Sequence, residues 1–147
     1  MFKKMFKNQR GLTLIELLAV VVILGIIAAI AIPAIGGIIS NSKKDAHIAN
    51  AQQMANSARM HIAANKLEVP TTISLQSLLD DGQIEDIKNP SGKGYNLTSS
   101  VVAVTKNTNT KALEFRVTLI SDATANPPTY INAKEVKTLT REDITSP

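Results

Sequence analysis

The chain has 147 residues, a formal charge of +4 and no cysteine. The missing cysteine excludes disulfides and thiolate metal sites, so any folded part is held together by packing alone. The first ten residues include no acid and four basic residues, Lys3, Lys4, Lys7 and Arg10. The rest of the chain has 12 basic and 12 acidic residues. The basic character therefore belongs to the N-terminus and does not indicate a nucleic-acid-binding surface.

A long apolar segment follows this basic stretch. Residues 17–39 are all apolar, and no charged side chain lies between Glu16 and Lys43. A helix over this run extends about 35 Å at about 1.5 Å per residue, enough to cross a hydrocarbon core of about 30 Å. The basic residues on its N-terminal side predict a cytoplasmic N-terminus and an exported C-terminal part.

Three interpretations of this segment are open. A secretory signal peptide also begins with basic residues, but its apolar core is only about 7–15 residues long, although "AIAIPA" mimics a cleavage site. A plain single-pass anchor fits the length but leaves Glu16 unexplained, because a carboxylate in a membrane helix is costly. In the third interpretation, a cut after Gly11 gives Leu12 a free amine four residues before Glu16. The two charges then neutralise each other, within one helix or between neighbours.

The basic leader, Gly11 and the stretch "LTLIELLAVVVILGIIAAIAIP" resemble the N-terminus of type IV prepilins and the related pseudopilins. The resemblance implies that a prepilin peptidase cuts between Gly11 and Leu12 on the cytoplasmic side and that the new N-terminus is methylated. It also implies that Glu16 pairs with the N-terminal amine of an adjacent subunit during assembly. Leu12 replaces the more usual Phe, but both are large and apolar, so cleavage is still expected. The resemblance ends at about residue 35.

Helix-loosening positions of the family correspond here to Gly25 and Pro33. Proline removes an amide donor and clashes with the preceding turn, and Gly36 and Gly37 add conformational freedom just beyond it. We therefore predict that the stem helix bends or melts locally between Gly25 and Gly37. The alternative is that neighbouring helices satisfy the backbone and these residues are merely tolerated.

From residue 40 the pattern predicts an amphipathic helix over residues 40–67 that ends before Pro70. One apolar stripe recurs at spacings of three and four residues and consists of Ile48, Ala51, Ala55, Ala58 and Ile62. Because most of these residues are small, the stripe predicts close packing against a sheet of the same chain.

A short helix is predicted at about residues 74–81, with Ser74 or Thr72 near its N-cap and Gly82 at its end. Strands are predicted at about residues 95–106, 112–120 and 130–139, and "NTNT" forms the turn between the first two. The second strand alternates so that Leu113, Phe115, Val117 and Leu119 point inward. Residues 140–147 are predicted to fray.

These elements predict an α+β fold in which a long N-terminal helix packs on a small antiparallel sheet, as in type IV pilins. The predicted organisation is a leader of residues 1–11 that is removed, a hydrophobic stem of residues 12–39 and a globular head of residues 40–147.

No catalytic residue, metal site or cofactor is expected. His47 and His61 lie about 21 Å apart along the predicted helix, too far to share a metal ion, and are expected at the surface. The acidic turn of residues 80–86 is expected to be solvated, with cation binding as the alternative.

The resemblance implies a structural protein and no enzyme: a pilin, the repeating subunit of a type IV pilus, with adhesion, motility or competence as filament roles. The implied partners are further copies in a helical filament, the prepilin peptidase, the assembly platform with its ATPase, and the membrane before assembly; nucleic acid is left open. The implied location is a single-pass membrane protein that becomes an extracellular filament. The alternatives are a pseudopilin of a type II secretion or DNA-uptake machine and a membrane-anchored binding module that never polymerises.

Overall fold

The computed structural model describes the backbone of residues 9–145 and the side chains of residues 13–145. Over this range the chain has one long helix, one short helix, a four-stranded antiparallel sheet and two 3-10 turns. The α+β fold class predicted from the sequence is thereby confirmed. The chain divides into two compact units, Met1–Ile39 and Ser40–Pro147.

In the first unit, every described residue belongs to helix α1, which spans Gln9–Asn65. Its large apolar side chains from Leu14 to Ile39 are 48% to 70% exposed. Among the described residues, this helix alone is long and apolar enough to cross a membrane. Apolar surface on this scale is stable only against lipid or against other chains.

In the second unit, the same helix contributes its last turns to a packed core. Ala51, Ala55 and Ala58 are buried, and Ile48 and Ile62 pack against them while partly exposed. The stripe predicted from the sequence is thus the buried face. After Asn65 the chain turns at Lys66, where φ is 51°, before it reaches Pro70.

Helix α2 spans Leu75–Asp80, and its N-cap is Ser74, one of the two residues predicted near this position. The Ser74 hydroxyl accepts a hydrogen bond from the Ser77 amide at 3.1 Å. At the other end Gly82 has a φ of 64°, a left-handed conformation that glycine adopts without strain, and its amide donates to the Leu79 carbonyl at 3.0 Å.

The sheet contains four strands in the order β1-β2-β3-β4, and each pair of neighbours is antiparallel. The strands are β1 Thr71–Ser74, β2 Val101–Lys106, β3 Leu113–Ile120 and β4 Thr129–Glu135. In β3, Phe115, Val117 and Leu119 are buried as predicted, and Leu113 is partly buried. The face of the sheet that carries these side chains forms one hydrophobic core with the α1 stripe.

The strands of the structure differ from the predicted ones in three respects. Residues 96–100 do not extend β2, because the Asn96 carboxamide oxygen accepts hydrogen bonds from the amides of Thr98 and Ser99 and turns the chain. Strand β4 gives way after Glu135 to a 3-10 turn, Val136–Thr138. Strand β1 was not predicted at all.

The prediction that residues 140–147 fray is wrong for the part that the structure describes. Thr140 caps a 3-10 turn, Arg141–Asp143, by a reciprocal pair of hydrogen bonds with Asp143. Ile144 is 2% exposed and belongs to the core. The Arg141 guanidinium binds the Asp45 carboxylate through two contacts of 2.6 Å. Residues 146–147 lie outside the described range.

Candidate functional site

The predicted cleavage point lies near the start of α1, which begins at Gln9. Residues 1–8 of the leader and the side chain of Leu12 lie outside the described part of the chain. Glu16 is exposed, and it follows Leu12 by four residues, so in a helix the two share a face about 6 Å apart along the axis. Among residues 13–145, no basic side chain forms an ion pair with Glu16. Its carboxylate is therefore accessible to a cation from outside this range.

The residues predicted to loosen the stem lie within continuous helix. Helix α1 runs through Pro33 without interruption, and a side chain added at Gly25, Gly36 or Gly37 would meet no atom within 4 Å. These glycines are therefore not required by packing within the chain. Their small size matters only for backbone freedom or for contact with another molecule.

A polar cluster in the second unit surrounds His47, which is fully buried. Its two ring nitrogens hydrogen-bond to the Tyr95 hydroxyl at 2.7 Å and to the Ser91 hydroxyl at 2.9 Å. The ring stacks on Tyr130 with 4.1 Å between centroids. Among the described residues, no buried side-chain nitrogen or oxygen lacks a hydrogen-bond partner.

The hydrogen bonds of this cluster fit a neutral His47 ring with its proton on Nε2. The Asn50 amide donates to the Tyr95 oxygen at 2.9 Å, and the Tyr95 hydroxyl can donate its own hydrogen to His47 Nδ1. A neutral ring then carries its proton on Nε2 and donates it to Ser91.

Burial is also the main influence on the pKa values of the cluster. Removal of His47 from water, with the positive charge of Lys43 nearby, lowers its pKa to about 4. Burial likewise raises the pKa of Tyr95 to about 12, against the opposing effect of the Asn50 hydrogen bond. Both groups are therefore neutral at pH 7.

His61 occupies a second contact, between α1 and the end of α2. Its Nδ1 lies 3.1 Å from the Asp81 carboxylate and 3.2 Å from the Asn65 amide nitrogen. His61 is 6% exposed and His47 is 0% exposed, so the prediction that both lie at the surface is wrong. The signal was present in the sequence, because both histidines continue an α1 stripe at spacings of four and three residues, through Ala51, Met54 and Ala58.

The described residues contain no group of three or more His, Cys, Asp or Glu side chains placed to hold a metal ion. In the acidic turn, Asp80 accepts a hydrogen bond from Gln76 at 2.8 Å, and Asp81 faces His61.

Comparison with known proteins identifies the N-terminal segment. Residues 6–32 match the family model described as the prokaryotic N-terminal methylation motif. No curated protein and no solved structure matches the chain. The matched motif is the class III signal peptide of type IV pilins and pseudopilins.

Motif and fold together support a type IV pilin-like or pseudopilin protein. They point to a structural protein without enzymatic activity that is anchored in a membrane by its N-terminal helix. The motif implies processing by a prepilin peptidase and assembly of the pilus type.

Proposed function

We propose that the chain is the pilin subunit of a type IV pilus. The peptidase cuts between Gly11 and Leu12, the amine of Leu12 is methylated, and the mature chains polymerise through α1. The observation that carries the proposal is the matched motif over residues 6–32, continued by a stem whose apolar side chains are exposed and whose one charged residue is Glu16.

Cleavage after Gly11 supplies the Glu16 carboxylate with a positively charged partner. A charged side chain at the centre of a membrane helix costs about 2.5–3.5 kcal/mol, less near the end of the helix, and a nearby cation offsets this cost. The nearest cation that the sequence can supply is the new amine at Leu12. When it belongs to a neighbouring subunit, the pair sets the axial register of the filament.

Stem flexibility is a second part of the proposal. Between Gly25 and Gly37 the helix contains three glycines and Pro33, and none of the glycines makes room for a neighbouring atom of this chain. We infer that this stretch bends or unwinds when stems leave the bilayer and pack in the filament.

The orientation of the subunit follows from its charge. Four basic residues precede Gly11, which keeps the N-terminus cytoplasmic and exports residues 40–147. The partners of the subunit are then the prepilin peptidase, the assembly platform with its ATPase, and further copies of the chain.

The test is negative-stain microscopy of material sheared from cells, with mass spectrometry of the fibres. Fibres composed mainly of this chain are expected on the cell surface, and they should be missing from a deletion strain. Fibres confined within the envelope would favour a pseudopilin. A chain that stays in the membrane in cells with an intact assembly machine would contradict both.

A further inference from the structure

The second unit has a groove beside α1 with a volume of about 300 Å³. Its apolar lining comes from Ala55, Phe115 and Val136, and the charged residues in the lining are Arg59 and Lys137, both basic. The Arg59 guanidinium lies over the Phe115 ring, 4.7 Å from its centroid. Gln52 and Asn56 complete the lining. Because Arg59 remains exposed, the groove combines apolar and neutral polar side chains with a positive charge at its edge.

An acidic loop, residues 80–86, lies elsewhere in the same unit. Its four charged residues are all acidic and all exposed; they are Asp80, Asp81, Glu85 and Asp86. Within residues 13–145, Glu85 and Asp86 form no ion pair. Buried Ile84 holds the loop against the core, so these carboxylates are presented on an anchored backbone.

The groove and the acidic loop lie on opposite flanks of α1. At about 100° per residue, Gln52, Asn56 and Arg59 share one flank of the helix, and His61 points about 180° away from them. The first three line the groove, whereas His61 contacts Asp81 of the loop. The buried alanine stripe lies between the two flanks, so the groove and the loop of one chain do not meet.

We propose that the groove binds the acidic loop of a second copy of the chain, with Arg59 and Lys137 facing Glu85 and Asp86. The charges are complementary, and the two surfaces are different and lie on opposite sides of one unit. A contact of this heterologous kind repeats without closing on itself and builds an open filament. The inference rests on the proposed function and adds the contact between neighbouring heads.

The first test uses the absence of native cysteine. A full-length chain that carries both Lys137→Cys and Glu85→Cys is treated, in intact filaments, with a short bis-maleimide crosslinker. Because the two positions lie on opposite flanks, crosslinks form between chains, and a ladder of dimers, trimers and longer products is expected. The matched control pairs Lys137→Cys with Glu68→Cys, an exposed acid outside the loop, and should give monomer.

The second test is a charge exchange. Because like charges brought face to face repel, Arg59→Glu with Lys137→Glu should lower the yield of sheared filaments by about tenfold or more. Adding Glu85→Lys and Asp86→Lys to the same chain should restore the yield, which also shows that the substituted heads fold. Glu68→Lys in place of the loop substitutions should not restore it.

The outcomes separate the two proposals. Wild-type filaments without a crosslink ladder, or without rescue by the charge exchange, would overturn this inference and leave the proposed function standing. The absence of wild-type filaments would overturn both.

Discussion

At the scale of single residues, the proposal assigns assembly to Glu16, whose exposed carboxylate is the only charge between Gly11 and Lys43. If its partner is the amine of a neighbour, Glu16→Ala should leave cleavage and membrane insertion intact while filaments disappear. If the pair forms only within one helix, the substitution should cost little beyond local helix stability. Immunoblots of membranes report processing, and microscopy of sheared material reports filaments.

A co-expression experiment separates these two cases. Glu16→Ala subunits, expressed beside wild-type subunits, should be strongly depleted from the fibres when counted by mass spectrometry. Glu68→Ala, which removes an exposed acid of the head, should be incorporated normally. Normal filaments made of Glu16→Ala subunits alone would refute the assembly role.

His47 makes the stability of the head depend on pH. Its pKa is about 4 in the folded chain and about 6.5 when exposed, so the unfolded state binds the proton more readily. The contribution is fully present above pH 6.5 and is lost as the pH falls towards 4, by about 1.4 kcal/mol per pH unit and about 3 kcal/mol in all. Urea unfolding of residues 40–147 at several pH values measures it.

His47→Gln is the control for this dependence, because glutamine retains hydrogen-bonding groups but does not titrate. The variant should be less stable at pH 7 and should lose most of the slope between pH 6.5 and 4. An unchanged slope in the variant would show that another group is responsible.

At the scale of elements, the C-terminal segment is part of the folded head. The Asp143 carboxylate accepts a hydrogen bond from Lys134 and two from Thr140, which lower its pKa to about 2. Ile144 is buried, and the Thr145 amide donates to the Tyr130 carbonyl. Ile144→Ala should therefore lower the free energy of unfolding by about 2–4 kcal/mol.

Glu142→Ala is the matched control, since Glu142 lies in the same segment and is exposed. Chemical denaturation of both variants compares them directly. Equal stability of the two would mean that this segment frays, as the sequence suggested.

Helices and strands with a regular spacing of hydrophobic residues were predictable from the sequence. Very short strands and contacts between residues far apart in the chain were not. The stripe of α1 and the alternation of β3 each repeat over enough residues to reveal a buried face. Strand β1 has four residues, too few to show an alternation, and it follows directly after Pro70. His47 continues the α1 stripe, but the hydroxyl group that it bonds belongs to Tyr95, 48 positions away, and no local pattern reports such a partner.

The candidate functional residues also divide into those that a local stretch of sequence predicts and those that depend on the fold. The roles of Gly11, Leu12 and Glu16 stay predictions, and they could be made because the motif that implies them is a continuous stretch of sequence. The groove could not be predicted, because Arg59 and Lys137 line one groove only when the sheet places Phe115 beside α1.

At the scale of the whole molecule, the two units differ in the environment that stabilises them. The stem exposes its apolar side chains, whereas residues 40–147 enclose a core of their own. Residues 40–147 alone should therefore be soluble, folded and mainly monomeric, because a lateral contact made of a few exposed ion pairs is weak without the stem.

Size-exclusion chromatography and near-ultraviolet circular dichroism of this fragment test the expectation. A defined signal from Tyr95 and Tyr130, unaffected by reductant, is expected since the chain lacks cysteine. Aggregation or a featureless spectrum would mean that the boundary or the core is misplaced.

The central claim is that the chain is processed as a prepilin and exported as a filament subunit. The most direct measurement is the mass of the intact subunit and of its N-terminal peptide in sheared surface material. Our account predicts a chain that begins at Leu12 with a methylated amine and has lost residues 1–11. An exported chain that still begins at Met1, or one that begins beyond Pro33, would contradict it.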